Sequence, residues 1–363
     1  MALLVAVAGS CCGFLVLWHV GHCRRPAPAG DVAGRVSVII PARNEAETLP
    51  VLLTSLCQQS TPAGEILVVD DASTDDTAAV AQRHGVRVVD PGPLPPGWRG
   101  KAWACHRGAA QATGDVLVFL DADTRLHPAG LGRLRAAVAA GGAAVSVCPY
   151  QYVPRPYEQL SAFFVLMMAA GVGAFAAPGL RRRSGLFGPC LALSREAYRG
   201  AGGHKAVKSR TLENLYLSRR LRAAGTPIRC CGGRGLLDVR MYPHGVRELA
   251  AGWSKAFVSG ALATPPPILA LATGWLCAAA LAALMLIVEL VAGDMADAVW
   301  WTGAYGCVAA QIGFQLKRLG SFQWYASACY PVPLVFYMVV FGAAAVKRLL
   351  GVRTEWQGRA IDG

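Results

Sequence analysis

Two stretches decide the fold: Ile66-Leu67-Val68-Val69-Asp70-Asp71 and Val116-Leu117-Val118-Phe119-Leu120-Asp121-Ala122-Asp123. Each is a short apolar run that ends in acids. A run of this length without alternation reads as a buried parallel strand. In an open α/β sheet the carboxyl ends of such strands open into the ligand crevice. Carboxylates there are costly unless they are paired or bind a metal. Two acidic strand ends therefore predict a site for a divalent cation and a phosphorylated ligand. Asp70 and Asp75 also suit turns and helix caps, a role that leaves Asp-x-Asp without a reason.

Outward from these runs, residues 35–149 alternate strand and helix. Strands are expected over 36–40, 65–69, 86–89, 116–120 and 143–148, with helices over 44–59, 75–84, 101–112 and 131–140. Alternation with short loops predicts an α/β fold with a doubly wound, mostly parallel sheet. One loop is long: residues 90–100 hold four prolines and three glycines. Loops of that length in a compact domain usually shape a binding site.

The residues carry a family resemblance. Val36-Ser37-Val38-Ile39-Ile40-Pro41-Ala42-Arg43-Asn44-Glu45, Val69-Asp70-Asp71-Ala72-Ser73-Thr74-Asp75-Asp76-Thr77 and Asp121-Ala122-Asp123 resemble the family 2 glycosyltransferases of the GT-A fold, inverting enzymes that use nucleotide-sugar donors. Later segments narrow the likeness to the membrane-bound carotenoid glycosyltransferases. They are Trp98-Arg99-Gly100-Lys101-Ala102-Trp103-Ala104-Cys105, Phe187-Gly188-Pro189, Gly202-Gly203-His204-Lys205, Arg240-Met241-Tyr242-Pro243, Gly252-Trp253-Ser254-Lys255 and Trp356-Gln357-Gly358-Arg359. The resemblance implies transfer of a hexose, glucose, from a UDP-sugar donor, with a carotenoid acid or alcohol as acceptor. A hopanoid or other polyprenoid lipid is the rival acceptor. Processive polysaccharide synthases usually carry Gln-x-x-Arg-Trp, which is absent here.

On that frame Asp123 is the expected ligand of Mg²⁺ or Mn²⁺, hard ions that take oxygen ligands and few protein carboxylates. Asp121 is expected at the ribose or a metal-bound water. The resemblance implies that Asp71 reads the uracil ring, with Pro41 and Glu45 beside the nucleotide. Lys101, at a helix start, suits a phosphate through both its charge and the helix N-terminus.

The base departs from the family pattern. Many members carry Glu-Asp in a Glu-Asp-x-x-Leu-x-x-Arg-Leu helix, with the Asp as general base. Here Glu213-Asn214 occupies that place, and an amide is no proton acceptor at neutral pH. Glu213 becomes the candidate base, with His204 as the alternative. The same departure leaves open a non-catalytic membrane scaffold of this fold.

Composition points to a membrane. The chain is 54% hydrophobic and 16% charged, with a mean hydropathy of +0.38, too apolar for an ordinary soluble enzyme. Residues 1–23 read as an uncleaved anchor, followed by Arg24-Arg25, which places the next block in the cytoplasm. Residues 35–263 form the catalytic domain. Within it, residues 160–180 are apolar enough to span, yet Asp123 lies before them and Glu213 after. One site needs one membrane face, so this stretch is expected at the interface or along a lipid-facing channel. Residues 268–346 contain further spans, and 347–363 form a basic, cytoplasmic-type tail. The expected location is thus the cell membrane, multi-pass, with the catalytic domain cytoplasmic. The net charge of +13 fits anionic headgroups rather than nucleic acid, for which no binding signature occurs. Twelve scattered cysteines read as reduced and mostly buried.

Overall fold

The computed structural model describes residues 2–23, 34–183, 185–210, 212–350, 354–356 and 359–361. The expected Arg24-Arg25 pair and most of the tail from residue 351, including Gln357 and Gly358, lie outside the described residues.

The first four strands are β1 (Val36–Ala42), β2 (Glu65–Asp70), β3 (Arg87–Val89) and β4 (Val116–Leu120). After them come β5 (Thr124–Leu126), β6 (Ala144–Cys148), β7 (Tyr150–Gln151), β8 (Cys190–Ser194), β9 (Ile228–Gly232) and β10 (Leu237–Val239). Seven of these form one sheet in the order β3-β2-β1-β4-β8-β6-β9. β1 is parallel to both β2 and β4, as the buried apolar runs require. β8, which the sequence reading did not place, runs antiparallel between β4 and β6. The sheet is therefore mixed, two parallel groups joined by one reversed strand. A small second sheet, β5-β10-β7, sits beyond β4.

Helices Leu49–Cys57, Thr77–Arg83, Gly100–Gln111 and Gly130–Ala139 fill the crossovers. Two start later than expected, for local reasons. Asn44 adopts a left-handed φ of 55°, and its side-chain oxygen accepts from the Thr74 N–H at 2.8 Å. Asp75 accepts from the Thr77 N–H at 3.0 Å and the Ala46 N–H at 3.1 Å. These residues tie the loops after β1 and β2 together and keep them out of helix. Asp75 is thus a turn residue just before the N-cap, Asp76.

The N-terminal run forms a helix over Ala2–Val16. At about 1.5 Å per residue it is about 22 Å long, short of a bilayer core of about 30 Å, so it gives the expected anchor over residues 1–23 only weak support. It packs instead along helix Pro266–Ala292. A Cβ at Gly13 would lie 2.5 Å from the Trp275 ring, so glycine lets the two helices touch. Gln315 Nε2 donates to the Gly13 carbonyl at 3.0 Å, and Trp275 Nε1 donates to Gln311 Oε1 at 3.0 Å. Small residues with interhelical amides are how apolar helices bind one another.

Two helices, Pro266–Ala292 and Pro331–Leu349, are long and apolar enough to cross a membrane. They leave Leu284, Ile287, Leu290, Val291, Val335, Met338 and Val339 exposed, an apolar surface that water does not favour. The intervening helix Met295–Leu319 carries Asp297, Lys317 and Arg318 at its ends and is less apolar.

The apolar stretch at residues 160–180 contains a helix of ten residues, Ala162–Gly171. Phe163, Phe164, Val165 and Leu166 are fully buried. Phe164 stacks on Trp253 with centroids 5.0 Å apart and meets Tyr337 edge-on at 5.0 Å. A helix apolar on every face belongs in a core, and burying each Phe stabilises by about 1.5–3 kcal/mol. The segment is thus a covered core element between helices Val246–Ala263 and Pro331–Leu349, where a surface-lying or lipid-facing one was expected.

Candidate active site

The crevice opens at the carboxyl ends of β2, β1 and β4, three neighbouring strands. Pro41 pairs with Val69 and Ala42 with Asp70, so Pro41 lies two residues short of the level of Asp71 at adjoining strand ends. The Asp71 N–H donates to the Ala42 carbonyl at 2.8 Å, and Asp71 is 6% exposed. Arg43 donates to the Asp71 carbonyl at 2.7 Å, and Ala72 beside it takes a left-handed φ of 54°. Two non-glycine residues in that region, Asn44 and Ala72, mark backbone held by its surroundings rather than by preference. Glu45 follows Asn44. It receives the Thr48 hydroxyl on its carboxylate, and its own N–H donates to Thr77 Oγ1 at 2.8 Å.

A lysine joins the two halves of the site. Lys101 Nζ lies 2.6 Å from Asp121 Oδ1 and 3.7 Å from Glu213 Oε1. Lys101 is the second residue of helix Gly100–Gln111, and Glu213 is the first residue of helix Glu213–Ala223. Burial works to lower the lysine pKa, but Asp121 and Glu213 together raise it, so it stays charged. The Glu213 carboxyl is pushed up chiefly by burial, against the pull of Lys101. Asn214 Nδ2 donates to Glu213 Oε1 at 3.0 Å. The residue standing where the family places its base therefore steadies the neighbouring glutamate.

The reversed strand explains the Phe187-Gly188-Pro189 segment, to which the sequence assigned no task. β8 begins at Cys190 opposite Leu120, and the Asp121 N–H donates to the Pro189 carbonyl at 3.0 Å. A Cβ at Gly188 would stand 3.3 Å from Asn214 Nδ2 and 3.7 Å from Lys101 Nζ. Glycine there lets the backbone enter the cluster.

The Asp123 carboxyl is strongly shifted by its surroundings. It is pushed up to about 7, first by burial and then by the negative charges of Asp121 and Glu45. Asp121 and Glu45 are thus near enough to act on Asp123, with Lys101 opposing them, but among the described residues their oxygens are not gathered within coordinating distance of one another. Tyr242, from the Arg240-Met241-Tyr242-Pro243 segment, feels the Asp123 charge and is raised by burial and by that carboxylate. Sequence reasoning quoted the segment without giving Tyr242 a place. The approach depends on the small sheet, since β10 carries the chain to Arg240, whose Nη2 pairs with the buried Glu158 at 2.9 Å.

The raised Asp123 predicts a pH dependence of stability. A carboxyl whose folded pKa exceeds its unfolded value binds more protons folded than unfolded, so its contribution is lost as pH rises from about 4 towards about 7. In metal-free detergent solution, Asp123→Asn should melt higher than wild type at pH 8 and near it at pH 4. Equal melting at both pH values would refute the electrostatic account.

His204 is placed differently from Glu213. It is 2% exposed, its ring meets Phe119 edge-on at 4.9 Å, and Nδ1 lies 3.0 Å from the Tyr198 hydroxyl. Burial, then Lys101 and His106, lower its pKa to about 3. It is a neutral core imidazole close behind the site. The proline-rich loop folds over its own helix. Trp98 meets Trp103 at 4.9 Å and stacks on His106 at 5.0 Å, while the Arg99 N–H donates to the Lys208 carbonyl at 2.8 Å.

Comparison with known proteins agrees with this geometry. The profile of glycosyl transferase family 2 matches residues 37–166. The 4,4'-diaponeurosporenoate glycosyltransferase of Staphylococcus aureus (strain MRSA252) is 32% identical over 329 residues, 89% of this chain and 87% of that protein. The chain belongs to glycosyl transferase family 2. The namesake enzyme of Staphylococcus haemolyticus (strain JCSC1435) is 35% identical over 255 residues, 68% of this chain and 67% of that protein. Among solved structures, the mannosyltransferase PcManGT from Pyrobaculum calidifontis, in complex with GDP-Man and Mn²⁺, superposes with a TM-score of 0.55. It is 21% identical and is covered over its full length by 97% of this chain. That likeness supports the GT-A fold. The chain is therefore a glycosyltransferase, with a mixed α/β sheet and apolar helices near its C-terminus.

Proposed function

We propose that this enzyme transfers a hexose, glucose, from a UDP-sugar to a membrane lipid acceptor, a carotenoid acid or alcohol, with inversion at the anomeric carbon. The convergence of Asp121 and Glu213 on Lys101 supports a single site built from both sides of the apolar segment. The names of the staphylococcal relatives support the acceptor class.

In this reading Pro41, Glu45 and Asp71 hold the nucleotide at the strand ends. Asp123 would hold Mg²⁺ or Mn²⁺, which would supply charge neutralisation to the diphosphate, with Asp121 at the ribose or a metal-bound water. Lys101 releases part of its hold on Asp121 to meet a phosphate oxygen, aided by the first N–H groups of its helix. Glu213 then loses a positive neighbour and becomes a better proton acceptor. It takes the proton of the acceptor carboxylic acid or hydroxyl as the sugar–oxygen bond forms and the sugar–diphosphate bond breaks.

Mass spectrometry of lipids from carotenoid-producing cells with and without the gene tests the acceptor. A carotenoid heavier by one hexose should appear only with the gene. Hexosylated hopanoid or polyprenol in its place moves the acceptor to the rival class, and no glycolipid from any of these with an intact protein leaves only the non-catalytic scaffold.

We also place the catalytic domain on the cytoplasmic side of the cell membrane, with several crossings. Exposed apolar residues on helices Pro266–Ala292 and Pro331–Leu349 support membrane insertion. Cysteines introduced at Ala129 and Lys205, both exposed, should resist an impermeant thiol reagent in whole cells until permeabilisation. Labelling of either from outside would defeat the topology.

A further inference from the structure

The long apolar helices join the catalytic domain at one end of its large sheet. Cys148, the last residue of β6, and Phe187, three residues before β8, share a hydrophobic core with Ile268, Trp275, Leu316 and Leu334 of the helices. The Ser321 N–H donates to the Gln151 carbonyl at 2.8 Å, just past the helix end that carries Lys317 and Arg318. Basic residues at the end of an apolar helix suit the headgroup level of a bilayer. β4 and β6 both run against β8, so they point the same way, and the helices stand at the carboxyl ends of the strands. The loop over residues 90–99 leaves β3, which is parallel to β2, and so lies at that same end. Five strand spacings of about 4.8 Å separate β3 from β6, a distance that a bilayer surface easily extends across.

This loop and its neighbour form a surface of tryptophan and cations. Trp98 and Trp103, both half-buried, pack together, and the Trp103 indole N–H donates to the Gly92 carbonyl at 3.4 Å. The loop is thereby folded back on helix Gly100–Gln111, with Pro96 and Gly97 as an exposed tip. Pro93, Pro95 and Pro96 carry no N–H, so the tip has few donors to strip of water when it meets another surface. Beside it, Lys205, Lys208 and Arg210 are exposed. The Lys208 carbonyl accepts from the Arg99 N–H at 2.8 Å, which ties this basic segment to the loop. Lys205 is also close enough to His106, the ring stacked on Trp98, to help lower its pKa after burial has done so. Among the described residues, no carboxylate is ion-paired with Lys205, Lys208 or Arg210. The loop itself holds one acid, Asp90, which accepts from the Gly92 N–H at 2.7 Å. Tryptophan favours the membrane–water boundary, and each cation near it is drawn to anionic lipid.

We propose that Trp98 with Lys205, Lys208 and Arg210 forms a second membrane contact, seated on the anionic headgroups of the bilayer at the Lys101 rim of the crevice. The contact depends on the membrane insertion proposed above, and it sets the crevice mouth against the lipid from which an acceptor must come. The test places photo-crosslinking p-benzoylphenylalanine at single positions of the full-length chain. The protein is held in liposomes of phosphatidylcholine, alone or mixed with phosphatidylglycerol, and lipid adducts are measured by mass spectrometry. Replacement of Ile287, exposed on helix Pro266–Ala292, reports insertion. Replacement of Arg83, exposed at the helix end that leads into β3 from the opposite end of the sheet, gives the background. Replacement of Pro96 reports the contact. Adducts should form at position 287 in both lipids, and at position 96 chiefly when phosphatidylglycerol is present. Lys205→Gln and Lys208→Gln should each weaken the contact equilibrium by about fivefold, and both lysines are exposed, so the fold is kept. Adducts at position 287 with position 96 no higher than position 83 would overturn the contact and leave insertion intact. Equal yields at position 96 in the two lipids, unmoved by the lysine substitutions, would overturn the anionic headgroup as its partner. Loss of adducts at position 287 would instead remove the insertion reading, and this contact with it.

Discussion

Asp123→Ala should reduce sugar transfer by at least about 10³-fold, equivalent to about 4 kcal/mol of transition-state stabilisation, with the protein still folded. The size follows from what the residue does in the proposed reaction. A nucleoside diphosphate brought against Asp121, Asp123 and Glu45 stacks anion on anion, and Lys101 alone opposes them. A divalent ion supplies several kcal/mol of charge stabilisation in such a place. The variant should fold because Asp123 lies three residues past the end of β4 and is only partly buried, so its loss opens no cavity in the core. Chelation of wild type with EDTA should reproduce the loss, and added Mg²⁺ or Mn²⁺ should restore wild type without restoring Asp123→Ala. Full turnover in EDTA, or wild-type rates in the variant, would end the metal assignment.

The site divides into parts that sequence order reveals and parts that only tertiary structure supplies. β1, β2 and β4 are continuous apolar runs, the latter two with acids at their carboxyl ends, and parallel pairing brings those ends together without further information. β8 is an apolar run of the same kind, Cys190 to Ser194, but nothing local states its direction. Its reversal follows from the chain returning past the buried helix Ala162–Gly171 to pair with β4. The convergence of Lys101 with Glu213 depends on that return and carries no periodicity a reader can count. For the helix itself, composition misleads by nature. An all-apolar decapeptide suits a protein core as well as a lipid, and the decision falls to its length and to the aromatic partners Trp253 and Tyr337. The same ambiguity affects Ala2–Val16, where Gly13 and the glutamines of a distant helix turn a hydrophobic run into a packing surface.

The arrangement also gives a reason for an asparagine where the family resemblance leads to the expectation of an acid. A second carboxylate beside Glu213 would face Asp121 across the same lysine and raise the Glu213 pKa further through like charge. An amide in that position donates instead of repelling, at 3.0 Å to Glu213 Oε1. In the proposed reaction the proton-accepting role then falls to the glutamate, with its carboxylate held in place by a neutral neighbour.

Glu213→Gln should accordingly lower kcat by about 10² to 10⁴, the range for loss of a general base, with KM for the donor little changed. The amide keeps the shape and removes only the proton acceptor, and donor contacts in the proposed site come from other residues. A pH profile separates this role from a structural one. The Glu213 carboxyl lies above its ordinary range, chiefly through burial. A base must be ionised to act, so wild-type kcat should fall as pH drops through that raised pKa, well before an exposed glutamate would titrate. The acid limb should vanish in Glu213→Gln. In Lys101→Met it should move to higher pH, because the lysine charge that holds the carboxylate ionised is gone. His204→Ala should chiefly lower the melting temperature, since that imidazole is packed against Phe119 and held by Tyr198. Near-normal turnover in Glu213→Gln together with loss in a folded His204→Ala would transfer the base to His204. An acid limb unmoved by Lys101→Met would show that the lysine and the glutamate are not coupled in the working enzyme.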